Sequence, residues 1–196
     1  MREVVMILFI NACVRQQSRT KRLAEGLLSR MSQPYEEVYL PDIDYPVVDE
    51  EYLSRRDRLI SEGNFTDPAF ALARQFAETD EIVIAAPFWD LSFPASLKQY
   101  FEQINVIGIT FRYTPEGVPE GLCKARRLTY VTTAGGEFFP EEYGFGYIEA
   151  LARNFYGIQD IRLIKATGLD MIGADAEEIL RTASDGYNVA NETQID

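Results

Sequence analysis

A run of hydroxyl and cationic side chains near the N-terminus has the composition of an anion site. Ser18, Arg19 and Thr20 follow an apolar stretch that ends at Ile10, and residues 1–30 carry a local net charge of +4. Hydroxyls, arginines and the exposed N–H groups of a helix N-terminus together bind anions such as phosphate. Ser18 by itself is an ordinary N-cap, and the charge could be chance clustering on a solvated helix face. The coincidence of the two features favours the anion site.

A second group of residues suits a flat ligand. Phe88 and Trp89 follow Pro87 at the end of another apolar stretch. A lone Trp is usually part of the core, whereas two adjacent aromatics at a strand end favour a wall for a heteroaromatic ring. Later, Thr133-Ala134-Gly135-Gly136 offers unobstructed backbone donors, although a Gly-Gly pair is most often a simple turn. Together these features predict a phosphate attached to a planar ring system, a shape that FMN fits.

The composition excludes several classes of function. The chain has no His, which removes Ser-His-Asp and Cys-His catalysis and most zinc and non-haem iron sites. Cys13 and Cys123 are too few and too far apart for a metal knuckle or a disulfide framework, so a reducing compartment is expected. The net charge of −12 argues against a nucleic-acid partner, because such binding needs Lys and Arg to neutralise phosphates. A length of 196 residues suits one domain spanning 1–196.

The apolar N-terminal stretch is better explained as a buried strand than as a targeting signal. Residues 10–13 loosely resemble a lipid-attachment box. The apolar run before them is short for a signal peptide, however, Glu3 reduces the positive charge that such a signal needs at its start, and Asn11 does not fit the box. Nowhere does the chain approach the ~20 apolar residues of a membrane span. We therefore expect a cytoplasmic protein with no membrane partner.

Strand and helix patterns alternate along the chain, which predicts a parallel sheet covered by helices on both faces. Ligands of such sheets bind at the carboxyl ends of the strands, so function should lie in the loops after the first, third and fourth strands. The predicted strands are 4–10, 37–40, 81–86, 127–133 and 161–167. The predicted helices are 18–31, 50–59, 67–77, 95–104, 142–156 and 175–186, with an irregular segment at 110–124 and a loose tail at 187–196.

The sequence lacks the signatures of other parallel-sheet proteins that bind nucleotides or carry a phosphoacceptor. Residues 11–20 contain no glycine, which excludes the dinucleotide fingerprint and the P-loop after the first strand. A phosphoacceptor site needs acidic residues at the ends of the first and third strands, where Asn11-Ala12 and Ala85-Ala86 stand instead.

Three segments, in order and at matching spacing, resemble the flavodoxin-like family of FMN-dependent NAD(P)H:quinone oxidoreductases and azoreductases. They are APFWDLSFPASLK at 86–98, GITFRY at 108–113 and TAGG at 133–136, and the resemblance covers roughly residues 3–185. It implies an α/β flavodoxin-like three-layer fold, with a five-stranded parallel sheet of order 2-1-3-4-5 and helices on both faces.

The resemblance also implies which residues bind FMN, with no side chain acting as catalyst and no metal. The implied contacts are Ala12, Ser18, Arg19, Thr20, Pro87, Phe88, Trp89, Asp90, Leu91, Thr133, Ala134, Gly135 and Gly136. Two of them depart from the family pattern. Many relatives have a serine where this chain has Ala12, which leaves only the backbone there. Relatives usually have an asparagine at Asp90, and a carboxylate cannot donate a hydrogen bond to the ring. A competing interpretation is that Asp90 turns away and caps the helix that follows at 92–95.

The activity implied by the resemblance is a two-step exchange. NADH or NADPH reduces FMN and leaves, and a quinone or azo compound then takes the electrons at the same site, commonly within a homodimer. Two other functions remain open at this point. One is a non-catalytic FMN electron carrier that serves a protein partner, and the other is a binding module that has lost its cofactor.

Overall fold

A five-stranded parallel sheet forms the centre of the protein. The computed structural model describes residues 5–192. The strands are β1 (Ile7–Asn11), β2 (Tyr35–Tyr39), β3 (Glu81–Ala85), β4 (Phe111–Tyr113), β5 (Pro119–Gly121), β6 (Arg127–Thr133) and β7 (Asp160–Ala166). The sheet order is β2-β1-β3-β6-β7, which confirms the predicted 2-1-3-4-5 order of the five central strands. All five residues of β1 are buried, as its uninterrupted apolar sequence predicts for a central parallel strand.

Helices cover both faces of this sheet. They are α1 (Arg19–Met31), α2 (Glu50–Ser61), α3 (Ala71–Glu78), α4 (Ala95–Ile104), α5 (Phe145–Leu151) and α6 (Ala176–Glu192). Successive strand residues point to opposite faces. Leu8 and Ile10 therefore belong to the core under α3, α4 and α5, whereas Ile7 and Phe9 belong to the core under α1 and α6. Among residues 5–192, no helix is long and apolar enough to cross a membrane.

Three predicted segments need correction. The stretch 110–124 is not irregular throughout, because β4 and β5 pair there as an antiparallel hairpin. The helix predicted over 142–156 consists of a 3₁₀ turn, α5 and a π-helical segment over Ala152–Tyr156, although it ends as predicted with Gly157 in the left-handed conformation. Helix α6 continues past the expected end at Gly186 as far as Glu192, because Tyr187 is buried in the core. The loose tail predicted at 187–196 is thus wrong over 187–192, and 193–196 lie outside the described residues.

Most other boundaries differ from the prediction by a few residues. Strand β1 begins at Ile7, and Val4, the predicted start, lies outside the described residues. Strand β2 begins at Tyr35, earlier than predicted. Asp67 accepts a hydrogen bond from the backbone N–H of Ala69, as an N-cap should, but it caps a short 3₁₀ turn that precedes α3.

The small hairpin is attached to the rest of the fold through a close backbone contact at Gly121. A Cβ atom added to Gly121 would lie 2.1 Å from the backbone nitrogen of Gly157 and 2.2 Å from the carbonyl carbon of Tyr156. No side chain can move aside to relieve such contacts, because the atoms belong to the backbone of the π-helical segment. The packing of β5 against that segment therefore requires glycine at this position.

We expect Gly121→Ala to lower the free energy of unfolding by about 2 kcal/mol or more, through overpacking of this backbone contact. Gly26→Ala is the matched control, because Gly26 lies within α1 and a Cβ there comes no closer than 3.9 Å to Ser184 Oγ. That change should raise stability by roughly 0.5–1 kcal/mol, the helix preference for Ala over Gly. Urea titrations of both variants measure the difference. Equal effects of the two substitutions would show that Gly121 is not constrained by its neighbours.

Candidate functional site

A cleft of about 230 Å³ lies where the loops after β1, β3, β6 and β7 converge. The strand register brings these loops together, because Asn11 pairs with Ala85 and Ala85 pairs with Val131 at the carboxyl ends of three neighbouring strands. The cleft is lined by nine of the predicted residues: Ser18, Arg19, Thr20, Pro87, Phe88, Trp89, Thr133, Ala134 and Gly135. Cys13, Val14, Arg15, Gln17 and Asp170 also line it, although none of them is among the individual FMN contacts that were predicted.

The N-terminus of α1 points backbone donors at the cleft. Ser18 is the N-cap, and its Oγ accepts a hydrogen bond from the Lys21 N–H at 3.2 Å, as predicted. The Ser18 N–H itself donates to the carbonyl oxygen of Arg15 at 3.1 Å, which closes a turn before the helix. Within residues 5–192, no protein acceptor pairs with the N–H groups of Arg19 and Thr20. Two unpaired donors at the positive end of a helix dipole form a site for an anion.

A buried pair of hydroxyls ties this helix terminus to the loop after β6. Thr20 and Thr133 are 1% and 8% exposed, and their Oγ1 atoms are 2.6 Å apart. Each hydroxyl has one proton and two lone pairs, so after this mutual bond one proton in the pair is still available to a ligand. Thr20 thus has a structural bond as well as a position in the anion site.

The loop after β6 is held through its carbonyl oxygens, which leaves its N–H groups available. The Gly136 carbonyl accepts from the Gly168 N–H at 2.8 Å, and the Gly135 carbonyl accepts from the Asp170 N–H at 2.9 Å. A Cβ at Gly135 would lie 2.3 Å from the Asp170 carboxylate, so the two loops touch where residue 135 has no side chain. In the part of the chain from 5 to 192, the N–H groups of Gly135 and Gly136 have no protein acceptor.

Trp89 forms an exposed wall of the cleft and is not a core residue. The Phe88 N–H donates to the Thr133 carbonyl at 3.0 Å, which fixes the segment against β6. The Phe88 ring then packs on Phe139 with centroids 4.6 Å apart. The side chain of Trp89, in contrast, is 37% exposed. A partly exposed indole beside a cleft can accept the face of a planar ligand.

Trp89 begins a tight turn with unusual backbone angles. Trp89 and Ser92 exchange backbone hydrogen bonds of 3.0 and 2.8 Å, and the two residues between them, Asp90 and Leu91, have φ values of 49° and 69°. Positive φ at both central positions is the geometry of a type I′ turn, for which Asn and Asp are suited and Leu is not. Asp90 and Leu91 therefore lie at the tip of this turn and do not line the cleft.

The structure contradicts the competing interpretation of Asp90 and limits the predicted contact at Ala12. Asp90 does not cap the following helix, because the N-cap of α4 is Pro94 and has no side-chain hydrogen bond. Ala12 is fully buried and its N–H donates to the Ala85 carbonyl at 2.9 Å, so the backbone donor expected there is already paired. Gly136 lies just beyond the lining residues in the same loop as Gly135.

The charged and titratable groups of the cleft are few. Burial raises the pKa of the Cys13 thiol to about 11, so this thiol is neutral at physiological pH. Arg19 forms an ion pair with Asp170 at 2.7 Å. Asp170 follows the fifth predicted strand, and the rule that ligands bind at strand ends could have pointed to its loop. Within residues 5–192, no three His, Cys, Asp or Glu side chains come together as a set of metal ligands.

Comparison with known proteins places this arrangement in a family. A family model described as the flavodoxin-like fold matches residues 6–189. The FMN-dependent NADH:quinone oxidoreductase of Coprothermobacter proteolyticus is 35% identical over 173 residues, which cover 83% of this chain and 85% of the relative. The protein of the same description from Lachnoclostridium phytofermentans is 36% identical over 180 residues, which cover 87% and 90% of the two chains. The crystal structure of azoreductase from Bacillus anthracis superposes with a TM-score of 0.80 at 25% identity, covering 96% of this chain and 99% of that one.

The turn at Asp90-Leu91 makes a testable prediction. Leu91→Gly should raise the free energy of unfolding by about 0.5–1 kcal/mol, because glycine adopts a positive φ without the cost that leucine has. Leu53→Gly is the matched control: Leu53 is equally exposed at 46%, but it lies within α2. Glycine there should lower stability by about 1 kcal/mol. Thermal unfolding of both variants provides the measurement. If both substitutions destabilise to the same degree, the left-handed geometry at Leu91 is refuted.

Proposed function

Because the chain belongs to the flavodoxin-like fold family, we propose that it is an FMN-dependent oxidoreductase that transfers electrons from NADH to quinones or azo compounds. The observation that carries this proposal is the cleft, in which unpaired helix N–H groups face one end and an exposed indole forms a wall. The curated relatives described above are named as FMN-dependent NADH:quinone oxidoreductases, and they align over more than four fifths of the chain.

The residues of the cleft suit FMN at both ends of the ligand. The N–H groups of Arg19 and Thr20 would hold the phosphate, since they are unpaired donors at the positive end of α1. Trp89 would cover the ring, and the N–H groups of Gly135 and Gly136 would donate to its polar edge. The ring-binding role of Asp90 and Leu91 remains a proposal that the turn geometry limits to their backbone and to the charge of Asp90.

When bound, FMN would supply the redox chemistry, namely hydride acceptance from a nicotinamide and electron delivery to an acceptor. The side chains need not act as acid or base. Among the lining groups, the Cys13 thiol is kept neutral by its raised pKa, and Arg19 and Asp170 are engaged with each other. The N–H dipoles of Gly135 and Gly136 would stabilise negative charge as it develops near them. The protein thus binds, orients and stabilises, and leaves one face of the cleft open for exchange of donor and acceptor.

The rest of the proposal concerns the state of the protein in the cell. We expect one domain over 1–196 that forms a homodimer, acts in the cytoplasm and exchanges donor and acceptor in a ping-pong sequence. Exposed apolar side chains in the loops after β3, β6 and β7, among them Leu91, Phe138 and Ile172, would suit contact with a partner copy beside the cleft.

An activity assay separates the enzyme from an electron carrier. The FMN-loaded protein should oxidise NADH steadily with benzoquinone as acceptor and no other protein present. NADPH, menadione and an azo dye in parallel reactions define the preference for donor and acceptor. A carrier would be reduced once at most and would need a partner protein for turnover, so a single stoichiometric reduction without turnover would contradict the proposal.

Asp90 offers a test of where the ring lies. If the ring rests against the turn, the carboxylate disfavours the extra negative charge of the reduced cofactor, and Asp90→Asn removes this repulsion. We expect the two-electron midpoint potential to rise by about 20–50 mV, equivalent to ~1–2 kcal/mol. Spectroelectrochemical titration measures this potential. Glu78→Gln is the control, because it removes one carboxylate near the amino end of β3, away from the carboxyl ends of the strands where the cleft lies. Equal midpoints for wild type and Asp90→Asn would place the ring away from the turn, and a fall would reverse the sign of the argument.

A further inference from the structure

The cleft contains two arginines, and they differ in what they already bind. Arg15 and Arg19 are the cationic residues that line it, and Asp170 is the acidic one. Arg15 lies in the turn that leads into α1, and Arg19 is the first residue of α1. A site that recognises a dianionic phosphate gains most from a cation whose charge is not already neutralised.

Arg19 is engaged by the loop after β7. Its Nη1 donates to the Leu169 carbonyl at 3.1 Å and its Nη2 donates to Asp170 Oδ1 at 2.7 Å. One nitrogen of the guanidinium therefore pairs with a carboxylate, and the other donates to a backbone carbonyl in the loop after β7. A phosphate at this side chain would have to share the positive charge of Arg19 with the Asp170 carboxylate.

Asp170 is itself held in place by the neighbouring loop. Its N–H donates to the Gly135 carbonyl at 2.9 Å, and its carboxylate lies directly against the Cα of Gly135. The adjoining Gly168 N–H donates to the Gly136 carbonyl at 2.8 Å. The backbone of Asp170 is therefore fixed against the loop that carries Gly135 and Gly136.

The side chain of Arg15 differs from that of Arg19 in its contacts. Its carbonyl oxygen accepts the Ser18 N–H, which holds residue 15 at the turn leading into α1. Within residues 5–192, its exposed guanidinium has no hydrogen-bond or ion-pair partner. It lines the same cleft as the donors of α1. Arg15 is thus the cation of the described cleft that can meet a phosphate without losing another contact.

We propose that Arg15, and not Arg19, is the side chain that selects the phosphorylated flavin, and that Asp170 withholds the charge of Arg19 from this contact. This division of labour rests on the proposed function, because it concerns the phosphate of FMN. Arg19 then contributes its backbone N–H to the phosphate and its side chain to the joint between α1 and the loop after β7.

The affinity ratio between riboflavin and FMN tests the proposal, because these ligands differ by the phosphate alone. Dissociation constants for both are measured by quenching of flavin fluorescence in wild type, Arg15→Gln, Arg19→Gln and Asp170→Asn. Arg22→Gln is the matched control, since Arg22 lies on the same helix, pairs with Glu177 and does not line the cleft. Riboflavin affinity serves as an internal control, because an intact ring site should keep it constant.

We expect Arg15→Gln to reduce the preference for FMN by about tenfold or more, as for the loss of a charge-assisted hydrogen bond. Arg19→Gln and Arg22→Gln should change it by less than about threefold, and Asp170→Asn should increase it by freeing the Arg19 charge. The proposal is overturned if Arg19→Gln loses as much preference as Arg15→Gln, if Arg15→Gln matches Arg22→Gln, or if Asp170→Asn leaves the preference unchanged. Wild-type protein that binds no FMN would instead refute the proposed function, so the two failures are distinguishable.

Discussion

The site depends on backbone N–H groups that the fold leaves unpaired at one edge of a parallel sheet. Each strand of such a sheet ends at the same edge, and the helix that follows β1 begins there with donors that no carbonyl of its own can reach. Among residues 5–192, the N–H groups of Arg19 and Thr20 have no protein acceptor, and neither do those of Gly135 and Gly136, whose loop is held through its carbonyls. An anion with a polar ring system would satisfy both sets of donors, which is why FMN is the ligand proposed for this cleft.

The other elements of the site serve to keep these donors in position. The hydroxyl pair of Thr20 and Thr133 joins the anion end to the β6 loop, and the Arg19–Asp170 ion pair joins it to the β7 loop. The Phe88 N–H bond to Thr133 brings the aromatic wall to the same loop. The left-handed pair Asp90-Leu91 then reverses the chain within a single turn, so that the wall ends at Trp89 and the chain proceeds to α4. A leucine at positive φ destabilises the turn locally, and the surrounding structure holds it in this conformation.

Local patterns predicted the alternation of strands and helices and most of the cleft, whereas the order of the strands in the sheet followed from the family resemblance. The apolar run of β1 and the Ser18 cap are readable from single segments, and the strand-end rule then identifies the loops that must meet. The prediction from sequence failed where contacts between distant parts of the chain determine the local structure. The hairpin within 110–124 was not predicted. It depends on a tertiary contact, the close approach of Gly121 to the backbone of a distant π-helical segment. The capping role considered for Asp90 fails since a type I′ turn directs the chain elsewhere. The ion pair of Arg19 was not predicted, because its partner, Asp170, lies 151 positions away in the chain.

The most direct test of this account is a crystal structure of the protein with FMN bound. The phosphate should accept hydrogen bonds from the backbone N–H groups of Arg19 and Thr20, with the ring against Trp89 and its polar edge at the Gly135 and Gly136 N–H groups. A flavin bound in this cleft with its phosphate away from the N-terminus of α1, or a flavin bound elsewhere on the protein, would contradict the account.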